Sequence, residues 1–160
     1  MKPLLLLGVL LSGLASCKQA DPAPTPVPGP APASVTISVH ITANCAGIAP
    51  SYRVISNVEH YSGGNFVSRF FQVATAQDQV DETRVVLVNP GAAYAADSLR
   101  ASIALPSPYA SFTIPRGGYA QVDILVNGQV RKSARVDEHT PLRSRAPYFD
   151  EQVYFRFKDL

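Results

Sequence analysis

The sequence has no tryptophan and only two cysteines, Cys17 and Cys45. Without tryptophan there is no Cys…Trp…Cys arrangement, so a true immunoglobulin assignment has no support. Charge is also scarce. Charged residues make up 16% of the chain and the formal net charge is +2. No basic run is interleaved with aromatics, and both features argue against a nucleic-acid partner. No Gly-x-Ser-x-Gly, phosphate-binding loop or His-Glu-x-x-His occurs, so serine-esterase, nucleotide and zinc-protease chemistry have no motif to stand on. The aspartates and glutamates are dispersed, with no carboxylate pair suited to glycoside hydrolysis. His40, His60 and His139 are scattered without ligand spacing. Asp137-Glu138-His139 are adjacent donors, but neighbours on a strand point to opposite faces. No metal or cofactor is expected.

Of the 160 residues, 46% are hydrophobic, enough for one packed core. The N-terminal segment stands apart from that core. Lys2 supplies a positive charge, residues 4–11 form a short apolar run, and Leu14-Ala15-Ser16-Cys17 follows. The apolar run is far below the roughly 20 residues a bilayer-spanning helix needs, so it reads as an export signal. The tetrad resembles the lipobox of bacterial lipoproteins. That resemblance covers residues 1–17 only and implies a signal peptide at 1–16, a lipid on the Cys17 thiol and a mature chain that starts there. Two or three acyl chains give stable anchoring. Lys18, where an aspartate would signal inner-membrane retention, implies the outer membrane. Residues 17–33 are then the lipidated cysteine and a linker with proline at every second position from Pro22 to Pro32. Such a segment is an extended spacer reaching roughly 50 Å at about 3.1 Å per residue. Docking of a proline-binding partner is its sharper alternative. With Cys17 lipidated, Cys45 is an unpaired thiol, read first as a small buried apolar residue.

Residues 34–160 read as one all-β domain. Val35, Ile37, Val39 and Ile41 alternate with polar residues in a half-buried strand. Residues 52–61 and 66–74 flank Ser62-Gly63-Gly64-Asn65 as a hairpin whose register stays open, because both faces carry apolar residues. A short strand is expected at 83–88. Residues 92–105 fit a helical stripe and a strand equally; the all-β surroundings favour a loop and a strand at 98–105. A brief strand is expected at 111–114. Residues 119–126 and 129–136 flank Asn127-Gly128, a strong hairpin signal. A three-residue loop that includes Gln129 aligns Val126 with Val130, Val122 with Ala134 and Ala120 with Val136, and burial favours it over a two-residue loop. A long connection at 137–151 precedes a last strand at 152–158. Eight or nine short strands point to an antiparallel β-sandwich, immunoglobulin-like or jelly-roll-like.

The first functional reading is a non-enzymatic, lipid-anchored domain that binds or scaffolds an envelope glycan or protein. Loops on a rigid sandwich are where recognition is placed. The candidates are Arg143, Arg145, Tyr148 and Phe149, with Ser62, Gly63, Gly64 and Asn65 second. Tyr148 and Phe149 could equally plug the end of the core. Arg131, Lys132, Arg135, Arg143 and Arg145 form a basic group, either a solvated face or a patch for acidic glycans or lipid headgroups. Two alternatives stay open. One is an envelope hydrolase or thiol enzyme pairing Cys45 with His40 or His60. The other is a subunit of a larger envelope complex, which requires an exposed apolar patch.

Overall fold

The computed structural model describes residues 34–46, 48, 54–91, 94–106, 113–142 and 148–160. The signal, Cys17, the linker, Arg143 and Arg145 lie outside these residues, as does the side chain of Tyr148. Eight strands are described: β1 (Thr36–Asn44), β2 (Val54–Ser62), β3 (Asn65–Thr75), β4 (Gln79–Val88), β5 (Asp97–Pro106), β6 (Tyr119–Val126), β7 (Gln129–Asp137) and β8 (Tyr148–Arg156). A short 3-10 turn at Phe157–Asp159 follows. The strands form two four-stranded sheets, ordered β4-β1-β6-β7 and β3-β2-β5-β8. Every pairing is antiparallel. The domain is thus an all-β sandwich.

Alternation builds the core between the sheets. Ile37, Val39 and Ile41 of β1 meet Val122 and Ile124 of β6 from one sheet, and Leu99, Ala101 and Ile103 of β5 from the other; all are fully buried. β-branched residues dominate because they fit a pleated, half-buried surface. Cys45 is part of this core. The start of β1 is clamped by two asparagines in left-handed conformation, Asn89 (φ 50°) and Asn127 (φ 51°). The Asn89 Oδ1 accepts from the Val35 amide at 2.7 Å, and the Asn127 Oδ1 from the Thr36 amide at 2.8 Å.

Several boundaries differ from those expected. Asn127-Gly128 closes a two-residue turn, with Val126 opposite Gln129. A bulge at Arg131 then restores the pairing of Val122 with Ala134 and of Ala120 with Val136. Two of the three pairs expected of the three-residue loop are thus recovered, while Val126 faces Gln129 and not Val130, and the extra residue sits in the strand and not in the turn. β4 begins at Gln79 and β8 at Tyr148, so the 137–151 connection is shorter than its sequence suggests. Thr113 and Ile114 are not in a strand, although Ile114 is buried; Ser111 and Phe112 lie outside the described residues. β5 covers the strand expected at 98–105. In β3, Phe70 and Val67 fall at register shifts against β2, so each is an extra residue relative to its partner strand. These two bulges explain why both faces of the hairpin looked apolar.

Candidate functional site

The outer face of the β3-β2-β5-β8 sheet carries charged and aromatic side chains that span all four strands. The pairing places residues in rows across it. Phe66, Tyr61, Ser98 and Arg156 form one row. Arg69, Glu59, Arg100 and Tyr154 form the next, and Gln72, Asn57, Ser102 and Gln152 the third.

Glu59 is the hub. Its residue is 4% exposed although it lies on the outer face. Neighbouring side chains cover it. Arg69 donates to Oε1 through Nε at 3.3 Å and Nη2 at 3.2 Å. Arg100 Nη2 donates to Oε2, and the Tyr61 hydroxyl donates to the same oxygen at 3.3 Å. A carboxylate taken out of water needs such partners. Arg100 also lies over the Tyr61 ring, 5.1 Å from its centroid, and makes a hydrogen bond with the Tyr154 side chain. Burial, against the lowering effect of Arg100, pushes the Tyr61 phenol above its ordinary pKa, and the Glu59 charge adds to that. The rings of Phe66, Tyr61 and Tyr154 follow one another edge to face, at 5.9 Å and 6.2 Å between centroids. Aromatic pairs favour this geometry. Phe66 is 55% and Tyr154 46% exposed.

Beside this row the surface is concave. A hollow of about 590 Å³ is lined by Tyr61, Gly63 and Gly64 of the β2–β3 turn, the 95–98 segment, Tyr154, Arg156 and Lys158. That volume is typical of small-ligand sites, about 300–1,000 Å³. Gly63 (φ 56°) and Gly64 (φ 86°) hold the turn in the left-handed region and leave open space where a Cβ would stand. Arg156 and Lys158 are exposed, and neither has a carboxylate within ion-pair distance among the described residues. The lining carboxylate, Asp97, is already engaged. His60 Nε2 lies 2.7 Å from its Oδ2. The hydrogen bond from Ser62, then that from His60, holds its pKa below the usual 3.8. A second groove of about 340 Å³ runs along the third row, lined by Asn57, Arg100, Ser102 and Gln152 among others. Asn57 Oδ1 and Arg100 Nε are buried there without a hydrogen-bond partner among the described residues.

The residues singled out from sequence fare differently. Ser62, Gly63, Gly64 and Asn65 form the exposed β2–β3 turn, and the two glycines line the hollow. Phe149 is not on a loop. It lies in β8 opposite Leu105 and is 3% exposed, a core position. Tyr148 opens the same strand. The loop expectation failed for these two because strand pairing with β5 extends further toward the N-terminus of β8 than its composition suggests. In the basic group, Arg135 stacks over Tyr119 at 4.1 Å and pairs with Asp137 at 3.1 Å, while Arg131 and Lys132 are exposed on β7.

Cys45 is buried, and burial together with the Asp78 charge pushes its thiol above the ordinary pKa. No hydrogen bond joins it to His40 or His60 among the described residues. His40 lies 2.8 Å from Asp81, and His60 is bound to Asp97. No group of three His, Cys, Asp or Glu side chains is placed to hold a metal among the described residues. Sequence reasoning missed Tyr61, Glu59, Arg100 and Tyr154 as a set; their strands are distant in sequence, and only the pairing brings them together. No family model, curated protein or solved structure matches the chain.

Proposed function

We propose that this chain is a lipid-anchored lipoprotein of the bacterial cell envelope, held at the outer membrane through Cys17, whose β-sandwich binds a ligand and performs no catalysis. One observation carries the binding reading. The sheet face joins a fixed row of aromatic rings to a hollow of about 590 Å³ flanked by two cations with no carboxylate partner among the described residues. The polar groups that fix the rings are committed to one another, so the site is pre-formed, which lowers the cost of binding. The thiol-enzyme alternative has less support, because a buried cysteine with a raised pKa holds little thiolate. The anchor rests on the Leu14-Ala15-Ser16-Cys17 tetrad and the proline spacer behind it.

Metabolic palmitate labelling of wild type and Cys17→Ser tests the anchor. Label on the wild type alone supports it, and label persisting on the variant overturns it. For the domain, the unanchored Cys17→Ser chain is sedimented with isolated cell envelopes. Co-sedimentation that Tyr154→Ala abolishes supports a binding function at this face. Co-sedimentation indifferent to Tyr154, or none at all, counts against it.

A further inference from the structure

We infer that the hollow beside Tyr154 takes an acidic saccharide, a chain of pyranose rings bearing carboxylates. This rests on the binding reading above and names its ligand class. Three independent features of the site converge on that chemistry.

The first is a flat apolar surface beside polar groups. Tyr154 is half exposed, and its ring is held in place by Arg100 and Tyr61. A pyranose has one face of C–H groups and a rim of hydroxyls, so it can lie on such a ring while its rim meets polar atoms. The small lining residues Gly63, Gly64, Ala95 and Ala96 add no bulk that would hold a ring away.

The second is charge. Arg156 and Lys158 have no carboxylate partner among the described residues, while Asp97, the one carboxylate of the lining, keeps its charge and is hydrogen-bonded by Ser62 and His60, so two cations face one anion. The hollow is therefore positive toward anything that enters it. A neutral sugar would leave both cations unanswered; a carboxylate answers them with charge-assisted hydrogen bonds.

The third is the adjoining groove. Among the described residues it holds one buried acceptor without a partner, Asn57 Oδ1, and one such donor, Arg100 Nε. Hydroxyls both give and accept hydrogen bonds, so one kind of group satisfies both atoms. The groove occupies the row next to Arg100 and Tyr154, so a saccharide of several rings extends from the hollow into it.

The test uses the full-length chain in detergent micelles, titrated with tetragalacturonate, with its methyl ester and with a short thymidine oligonucleotide. Calorimetry gives affinity. Tyrosine emission includes the site, since Tyr61 and Tyr154 of the seven tyrosines line it and no tryptophan masks them. The acid is expected to bind with a change in tyrosine emission, and the ester roughly tenfold or more weakly, as loss of a charge-assisted contact implies. Arg156→Gln with Lys158→Gln should bring the acid down to the level of the ester. Tyr154→Ala should weaken both. All of these residues are exposed, so circular dichroism of the variants should stay that of wild type. Equal binding of acid and ester overturns the acidic assignment. Tighter binding of the oligonucleotide overturns it in favour of a stacked nucleic acid. Binding of neither saccharide overturns the ligand class; if Tyr154-dependent co-sedimentation with envelopes persists, the binding reading survives that result.

Discussion

Replacing Glu59 with alanine should cost the domain about 3 kcal/mol, and the cost should be carried by Arg100 more than by Arg69. Three partners lose their acceptor. The Arg69 side chain is 46% exposed and can turn to water, so its ion pair contributes at most about 1 kcal/mol. The Arg100 side chain is 27% exposed and is wedged between Tyr61 and Tyr154. Its hydrogen bond to the carboxylate is of the charge-assisted kind, about 1.5–3 kcal/mol, and removing Glu59 leaves its charge partly buried without a counterion. The Tyr61 hydroxyl adds about 0.5 kcal/mol or slightly more. For a domain of this size a loss of about 3 kcal/mol lowers Tm by roughly 10 °C. The assay is urea and thermal unfolding of Glu59→Ala, Arg69→Met, Arg100→Met and the two double variants. The cycle with Arg100 should give a coupling energy of about 2 kcal/mol and that with Arg69 less than about 1 kcal/mol. A larger coupling to Arg69, or a cost below about 1 kcal/mol for Glu59→Ala, would refute the view of Glu59 as the buried hub.

Asn127→Gly keeps the left-handed turn but deletes the acceptor for the Thr36 amide, so it should cost about 1 kcal/mol in urea melts. Asn127→Ala adds backbone strain and should cost about 2 kcal/mol. Cys45 should resist thiol reagents in the native state, its labelling tracking the unfolded fraction as urea rises; fast labelling without urea would contradict its burial. In the folded chain the hydrogen bonds from Ser62 and His60 hold the Asp97 carboxyl below the ordinary aspartate pKa of 3.8. Its contribution to stability is therefore present above that pKa and lost as pH falls below it through the folded pKa. Asp97→Asn should flatten the acid limb of the stability curve below about pH 4, and an unchanged limb would show that Asp97 is not linked to folding.

Local pattern was readable where burial follows a clean period of two. β1, β5 and β6 alternate, so their inward residues could be read directly. β4 was half hidden. In its first four residues only Val80 is buried, and Gln79, Asp81 and Glu82 resemble a loop. The β2–β3 register was illegible because the extra residues Phe70 and Val67 break the period on one strand but not its partner. The Asn127 hairpin was misread for the same reason. A bulge at Arg131 and a three-residue loop both put Val122 opposite Ala134 and Ala120 opposite Val136, and they differ only in the partner of Val126, so hydrophobicity hardly distinguishes them. The site was harder still. Glu59 has no sequence signal of burial, since a glutamate is covered only when cations from β3 and β5 reach it.

The two sheets differ in what their outer faces leave unmatched, and that difference favours one of them for the proposed site. On the β4-β1-β6-β7 sheet the polar groups are largely matched. Asp123 is buried and accepts from Gln121 at 2.9 Å and from Ser133 at 2.5 Å. His40 meets Asp81, and Arg135 meets Asp137 and the Tyr119 ring. Arg131 and Lys132 lack a carboxylate partner among the described residues, but they line none of the three hollows, and the hollow of about 420 Å³ on this sheet includes Asp81 and no cation. On the β3-β2-β5-β8 sheet, one buried carboxylate is surrounded by more cation than it can neutralise. Glu59 takes up Arg69 and Arg100, and Arg156 and Lys158 remain beside an exposed ring in a hollow. Unmatched cations scattered over a surface are held by water alone. Cations gathered with an aromatic face and a concavity are placed where a ligand supplies the missing charge. By that criterion, the proposed recognition site lies on the face of a sheet, with the Gly63-Gly64 turn as its rim.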